Sequence, residues 1–189
     1  FYAVRDYYDV GPDYADDPAE RLTEFQDLVD RIHSHDMKVL IDLVPNHVAR
    51  SYDSVVYPEP SFGADDDTSV FYDKDNSFFY LVDPPGQALT LERPDDWNPD
   101  GLDFDGAFGP EDGSASSNTP KATGNNVTSP TPSSNDWYET IKLNYGYNFA
   151  TGDSAYTPTP KTWDDMDHIL AYWQDLGVDG FRADFAHYV

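Results

Sequence analysis

Two stretches of this 189-residue chain carry apolar positions at helical spacing, and each is followed at once by a short apolar run. In 16–36, Leu22, Phe25, Leu28, Val29 and Ile32 recur at intervals of three and four, which predicts a helix with one apolar face. Asp17 is a candidate cap and Pro18 suits the first turn. Met166, Ile169, Leu170, Trp173 and Leu176 repeat the pattern over 162–177. There Thr162 and Asp165 have the spacing of a capping-box variant, and Gly177 is placed to end the helix. The run after the first helix, 38–44, reads KVLIDLV and is apolar but for Lys38 and Asp42; the run after the second, 178–184, reads VDGFRAD. Both predict buried parallel strands. The order is helix, strand, long insertion, helix, strand, which indicates an α/β fold.

The insertion, about 51–156, has neither period. It is rich in Asp, Pro, Ser, Gly and Asn, and 111–136 reads as a flexible surface loop. Two aromatic clusters, SVFYDKDNSFFYLV at 69–82 and NDWYETIKLNYGYNF at 135–149, predict short strands of a small irregular domain. The acidic run ADDDTS at 64–69 lacks a full calcium-ligand pattern and reads as a solvated loop.

Charge narrows the partners. Thirty-six acidic residues against eleven basic ones give a formal net charge of -25. Such a surface repels nucleic acid and anionic membranes. It fits either adaptation to high salt, where screening relieves self-repulsion, or an ordinary acidic protein. No run of apolar residues is long enough to span a membrane. The absence of cysteine excludes disulfides and thiolate metal sites.

Polar residues cluster where the two strands end. DLVPNH carries Asp42, Asn46 and His47; GFRAD carries Arg182 and Asp184. In parallel α/β folds, ligands and catalysis gather at the C-terminal edge of the sheet. Alternation puts Arg182 and Asp184 on one side of their strand. A guanidinium beside the carboxylate would hold it ionised, as a nucleophile requires. A buried ion pair that merely locks a strand end has the same pattern.

DLVPNH and GVDGFRAD, in this order with a long insertion between them, resemble two conserved regions of glycoside hydrolase family 13, the α-amylase family. YAVRDYYDVGPDY, at residues 2–14, resembles a third, and TIKLNYGYN a weaker fourth. The resemblance implies part of a (β/α)8 TIM barrel with an inserted, irregular, β-rich domain B. Residues 1–50 and 157–189 would belong to the barrel and 51–156 to domain B. It implies retaining hydrolysis of α-1,4-glucosidic bonds in starch or maltodextrins, with Asp184 as nucleophile and Arg182 orienting and charging it. His47, Asp42 and Tyr2 match residues around the sugar whose bond is cut. His187 stands in an altered version of a Lys-His pair on the leaving-group side. α-Glucosidases and glucan transferases of the family share these motifs, and a non-catalytic sugar-binding or partner-binding relative is the alternative of another class.

No cofactor is implied for the chemistry. Asn46 matches a calcium ligand of the family, but Lys142 stands where a second ligand, an aspartate, is usual; the site is therefore expected to be absent or weakened. The family's general acid, a Glu after strand five, and a later Asp would lie outside these residues. The resemblance thus implies an internal segment of a longer enzyme, inactive on its own. The expected partner is an α-glucan or maltooligosaccharide. Starch-degrading enzymes often work outside the cell, which points to an extracellular or periplasmic setting.

Overall fold

The fold is seen in a computed structural model that describes residues 2–57, 61–91 and 119–189. A 3-10 turn, Pro12–Tyr14, precedes helix α1, Arg21–His33. Strand β1, Leu40–Leu43, follows, and then β2, His47–Ala49. The insertion contributes β3, Thr140–Lys142, β4, Tyr147–Asn148, and β5, Asp153–Ser154. Helix α2, Lys161–Asp175, leads into β6, Gly180–Ala183, and a last 3-10 turn, Ala186–Tyr188.

Helix α1 holds the whole apolar period but is shorter than the 16–36 stretch read as helical. Asp17 does not cap it: its carboxylate accepts the Ala19 N–H within a separate turn. Glu24, inside the helix, reaches back instead and accepts the N–H groups of Asp16 and Asp17, each at 2.8 Å. The acidic side chain thereby satisfies donors outside the helix and pins the entering chain. At the other end Asp36, with φ 55°, closes α1; its N–H bonds His33 O and the Met37 N–H bonds Ile32 O. Val29 is fully buried on the predicted face and Leu22, Phe25 and Ile32 pack beside it, but Leu28 lies at the edge and is exposed.

Helix α2 ends as its sequence predicts. Gly177 has φ 93°, the Gly177 N–H bonds Gln174 O, and the Val178 N–H bonds Trp173 O. That is the paired bonding of a Schellman motif, which only glycine adopts cheaply. Its start departs from expectation. Pro160 precedes the helix with no side-chain cap. Thr162 and Asp165 point inward, and the Thr162 hydroxyl and one Asp165 oxygen are buried without a hydrogen-bond partner. Burial therefore raises the Asp165 carboxyl above its ordinary pKa.

Strands β1 and β6 pair in parallel, with Asp42 opposite Arg182. One face of this pair packs on the helices through Val39, Ile41, Leu43, Val178 and Phe181, against Val29, Ile169 and Trp173. Each well-buried side chain of this set contributes roughly 1.5–3 kcal/mol. The expectation of strands buried on both faces fails: Leu40 is 69% exposed and Arg182 also lies open. Among the described residues this sheet has two strands, and the side chains of Asp42 and Arg182 on its second face are exposed. At the opposite end from the candidate site, Asp179 accepts from Lys38 at 2.6 Å, the Val39 N–H at 2.9 Å and His33 at 2.8 Å.

The insertion folds against the same core. β3 pairs antiparallel with β2, setting Lys142 opposite His47. Phe78, Tyr80, Ile141, Leu143 and Tyr145 join the main cluster, while Phe79, Leu81 and Ala122 form a second with Phe71, Tyr72 and Phe149. Two predicted loops are corrected here. Of 111–136, residues 111–118 lie outside the described residues, but 119–124 thread through the insertion. The Leu81 N–H bonds Pro120 O, the Ala122 N–H bonds Phe79 O, and the Lys142 N–H bonds Ala122 O. Nor is the 64–69 run merely solvated. Asp66 accepts from the Ser77 and Phe78 N–H groups and the Tyr80 hydroxyl, and so ties the run to the aromatic cluster.

Candidate active site

The parallel register brings the charged strand ends together. Arg182 Nη1 donates to Asp42 Oδ2 at 2.9 Å across the sheet, and Arg182 Nη2 lies 2.9 Å from Asp184 Oδ1 along its own strand. One guanidinium thus bridges two carboxylates. The Asp42 hydrogen bond first, and the charge of Asp184 next, raise the Arg182 pKa further above its ordinary value. The three groups differ in access. Arg182 and Asp42 side chains are 59% and 56% exposed, whereas Asp184 is 15% exposed. The Asp184 N–H is held by Leu43 O at 2.8 Å. Directly after it, Phe185 adopts φ 53° and turns the chain out of the strand.

The loop after β1 is clamped through its main chain. The Tyr7 hydroxyl donates to Val44 O at 2.6 Å and to His47 O at 3.2 Å; the Tyr145 hydroxyl donates to Pro45 O at 2.7 Å. Burial pushes both phenols above their ordinary pKa, so both stay protonated donors. Tyr7 comes from the N-terminal segment and Tyr145 from the insertion, so three parts of the chain converge on Pro45-Asn46-His47.

His47 is 2% exposed, and both of its ring nitrogens are engaged. Nε2 lies 3.0 Å from Tyr2 O and Nδ1 3.0 Å from Asn46 Nδ2. Burial lowers its pKa, the Tyr2 carbonyl opposes this, and the Lys142 charge adds to the lowering. A neutral imidazole results at neutral pH. Tyr2 brings its carbonyl to His47 while its own ring is 61% exposed. His187 is exposed and stacks at 5.7 Å on Phe185, beside the nucleophile candidate rather than in contact with it.

Asn46 is fully buried, and its amide is spoken for on both sides. Its Oδ1 accepts from the Lys142 ammonium in a very short contact, and its Nδ2 faces Gly124 O at 2.7 Å as well as His47. Lys142 is itself buried and also donates to Tyr188 O. Burial lowers its pKa to about 8, which leaves it charged at neutral pH. This donor set does not fit calcium. The one side-chain oxygen expected to ligate is taken by a cation, and the described residues hold no group of three or more His, Asp or Glu that could bind a metal.

Two residues of the site escaped the sequence reading. Trp137 has φ 47° and sets its ring 5.5 Å from His47 and 4.8 Å from Phe185, bridging the two strand ends from the insertion. Its only sequence signal was membership in an aromatic cluster read as a strand. Gly124 lies against His47: a Cβ there would stand 2.9 Å from the His47 Cβ and 2.8 Å from Thr140 Oγ1.

The family model described as the catalytic domain of α-amylase matches residues 1–189. The chain belongs to the α-amylase family. An α-glucosidase of Culex pipiens is 28% identical over 194 aligned residues, which cover 97% of this chain and 24% of that protein. α-Amylase 3 of Dictyoglomus thermophilum is 23% identical over 192, covering 100% and 26%. The chain therefore spans about a quarter of these α-amylase-family relatives. Among solved structures, a maltogenic amylase from S. marinus superposes over 100% of this chain and 22% of its own, with a TM-score of 0.51 at 19% identity. At that identity the likeness establishes a shared fold.

Proposed function

We propose that these residues form the nucleophile side of a retaining glycosidase acting on α-1,4-glucosidic bonds of starch or maltodextrins, within a catalytic chain of its relatives' length. The observation that carries this reading is the Asp42–Arg182–Asp184 bridge at the C-terminal ends of two paired parallel strands. β1 and β6 are then neighbouring strands of a (β/α)8 barrel, and about 51–156 is domain B. Asp184 Oδ attacks the anomeric carbon, and the C1–oxygen bond breaks as the leaving oxygen takes a proton from a general acid. Water then hydrolyses the glycosyl ester, and the acid, now a base, takes the water's proton. Arg182 keeps the nucleophile charged and oriented. Tyr2 offers an exposed ring for a sugar face, Asp42 holds Arg182, and His47 orders the loop beneath the sugar.

The mechanism also needs a general acid, and the family resemblance points to a Glu for that part. The relatives named above include an α-glucosidase and an α-amylase, and both activities are open to this architecture. The test is hydrolysis of maltodextrin by the full-length protein, followed by NMR of the fresh anomeric proton. The α-anomer should appear first, and Asp184→Asn should lower kcat by about 10⁴-fold or more. Initial release of the β-anomer, or an unimpaired Asp184→Asn enzyme, would sink the assignment.

A further inference from the structure

The oxygen expected to bind calcium already holds a cation. Lys142 extends from β3 of the insertion, its ammonium donating to Asn46 Oδ1 after β1 and to Tyr188 O after β6. Those three attachment points lie on the three segments that must meet for the site to form. An ammonium can donate three hydrogen bonds and accept none. Its partner on Asn46 must therefore be the amide oxygen, which fixes the amide's orientation without ambiguity. Asn46 Nδ2 then directs its two hydrogens to Gly124 O and His47 Nδ1. His47 Nδ1 is consequently an acceptor, so the ring proton sits on Nε2 and is donated to Tyr2 O. The chain of constraint runs from Lys142 through Asn46 to His47 and on to the N-terminal segment that carries Tyr2.

We infer that the Lys142 ammonium replaces a divalent cation at the junction of insertion and strand ends and, through Asn46, positions His47 as the Nε2–H tautomer. Lys142 is a positioning residue: it lies behind His47 and is itself buried. The geometry gives the reason a lysine can stand where a calcium-ligating aspartate is usual. A calcium ion takes six to eight oxygens, whereas an ammonium is satisfied by the few carbonyl oxygens present here. This holds whatever glycosidic bond the site cleaves.

The test is calcium titration of the full-length protein by calorimetry and thermal shift, with 15N histidine spectra as a second readout. The wild type should show no calcium site that Asn46→Ala abolishes, and His47 should report the Nε2–H tautomer. Lys142→Asp should unfold several degrees lower in EDTA and regain most of that loss with calcium, whereas wild-type Tm at this junction should not respond. Lys142→Met should lose the single His47 tautomer, and Lys142→Arg should largely keep it. Two results would overturn the inference. One is a wild-type calcium site lost in Asn46→Ala, which is decisive even if the Lys142 variants do not fold. The other is a Lys142→Met protein with unchanged Tm and unchanged His47 spectrum.

Discussion

Gly124 makes a sharp test of whether the insertion is built onto the site or merely lies beside it. An added methyl at Gly124 would meet Thr140 Oγ1 at 2.8 Å and the Cβ and Cγ of His47 at 2.9 Å. All three distances are shorter than real Cβ contacts allow. None of the atoms is a flexible tip, since Thr140 and His47 are 3% and 2% exposed and lie on paired strands β3 and β2. Relief must come from moving the 124 segment or His47. Overpacking of this kind costs about 1–3 kcal/mol. Displacing Gly124 also strains its carbonyl's 2.7 Å bond from Asn46, worth roughly 1 kcal/mol. A total near 3 kcal/mol corresponds to a Tm loss of roughly 6–12 °C for a unit of this size. Because the strain falls on His47, kcat/KM should drop by about tenfold as well. Gly152→Ala is the control: nothing lies within 4 Å of its added methyl, and it carries only the backbone strain of φ 82°. That variant should lose about 1–2 kcal/mol and keep its turnover. A Gly124→Ala protein with wild-type Tm and wild-type kcat/KM would refute the coupling.

Other outcomes follow from single groups. Asp165 is buried with one oxygen unpartnered and a raised pKa, so its favourable state is the protonated one. Stability tied to it is present below the ordinary carboxylate pKa and is lost as pH rises through the raised value. Asp165→Asn should therefore raise Tm more at pH 7 than at pH 4, and an equal gain at both would contradict the assignment. Asp179 is the opposite case: the Lys38 hydrogen bond first, then the Val39 N–H and His33, hold its pKa below the usual range. Its contribution is present at neutral pH and fades on acidification, so the stability gap between wild type and Asp179→Asn should close from pH 6 toward pH 2. Gly177→Ala forces a side chain onto φ 93° with its Cβ 3.0 Å from Val29 Cγ1. Its urea midpoint should fall by an amount worth about 2 kcal/mol.

What the sequence disclosed was local, and what it hid was carried by distant partners. Period-two alternation was enough to put Arg182 and Asp184 on one face, and a glycine after a periodic run was enough to end α2. The parallel pairing that sets Asp42 against Arg182 followed from the helix–strand order. Helix starts were misread because side chains were committed elsewhere. Glu24 reaches back to serve the chain before α1, and Thr162 and Asp165 turn into the core. The segment around Ala122 read as loop because its strand-like bonds go to Phe79 and Lys142, not to its sequence neighbours. The Lys142–Asn46 contact joins residues 96 positions apart, beyond the reach of any periodicity. The substitution of lysine for an acidic residue was visible, but the amide orientation that it dictates was not.

In the proposed mechanism an Asp184 carboxylate oxygen is the nucleophile that bonds to the anomeric carbon. The most direct measurement is to treat the full-length protein with a fluorinated α-glucosyl fluoride, whose glycosyl-enzyme turns over slowly, and to map the labelled peptide by mass spectrometry. The account predicts one added sugar, on the peptide carrying Asp184, and none in Asp184→Asn. A label on another carboxylate, or rapid turnover of natural substrate by the Asp184→Asn protein, would contradict it.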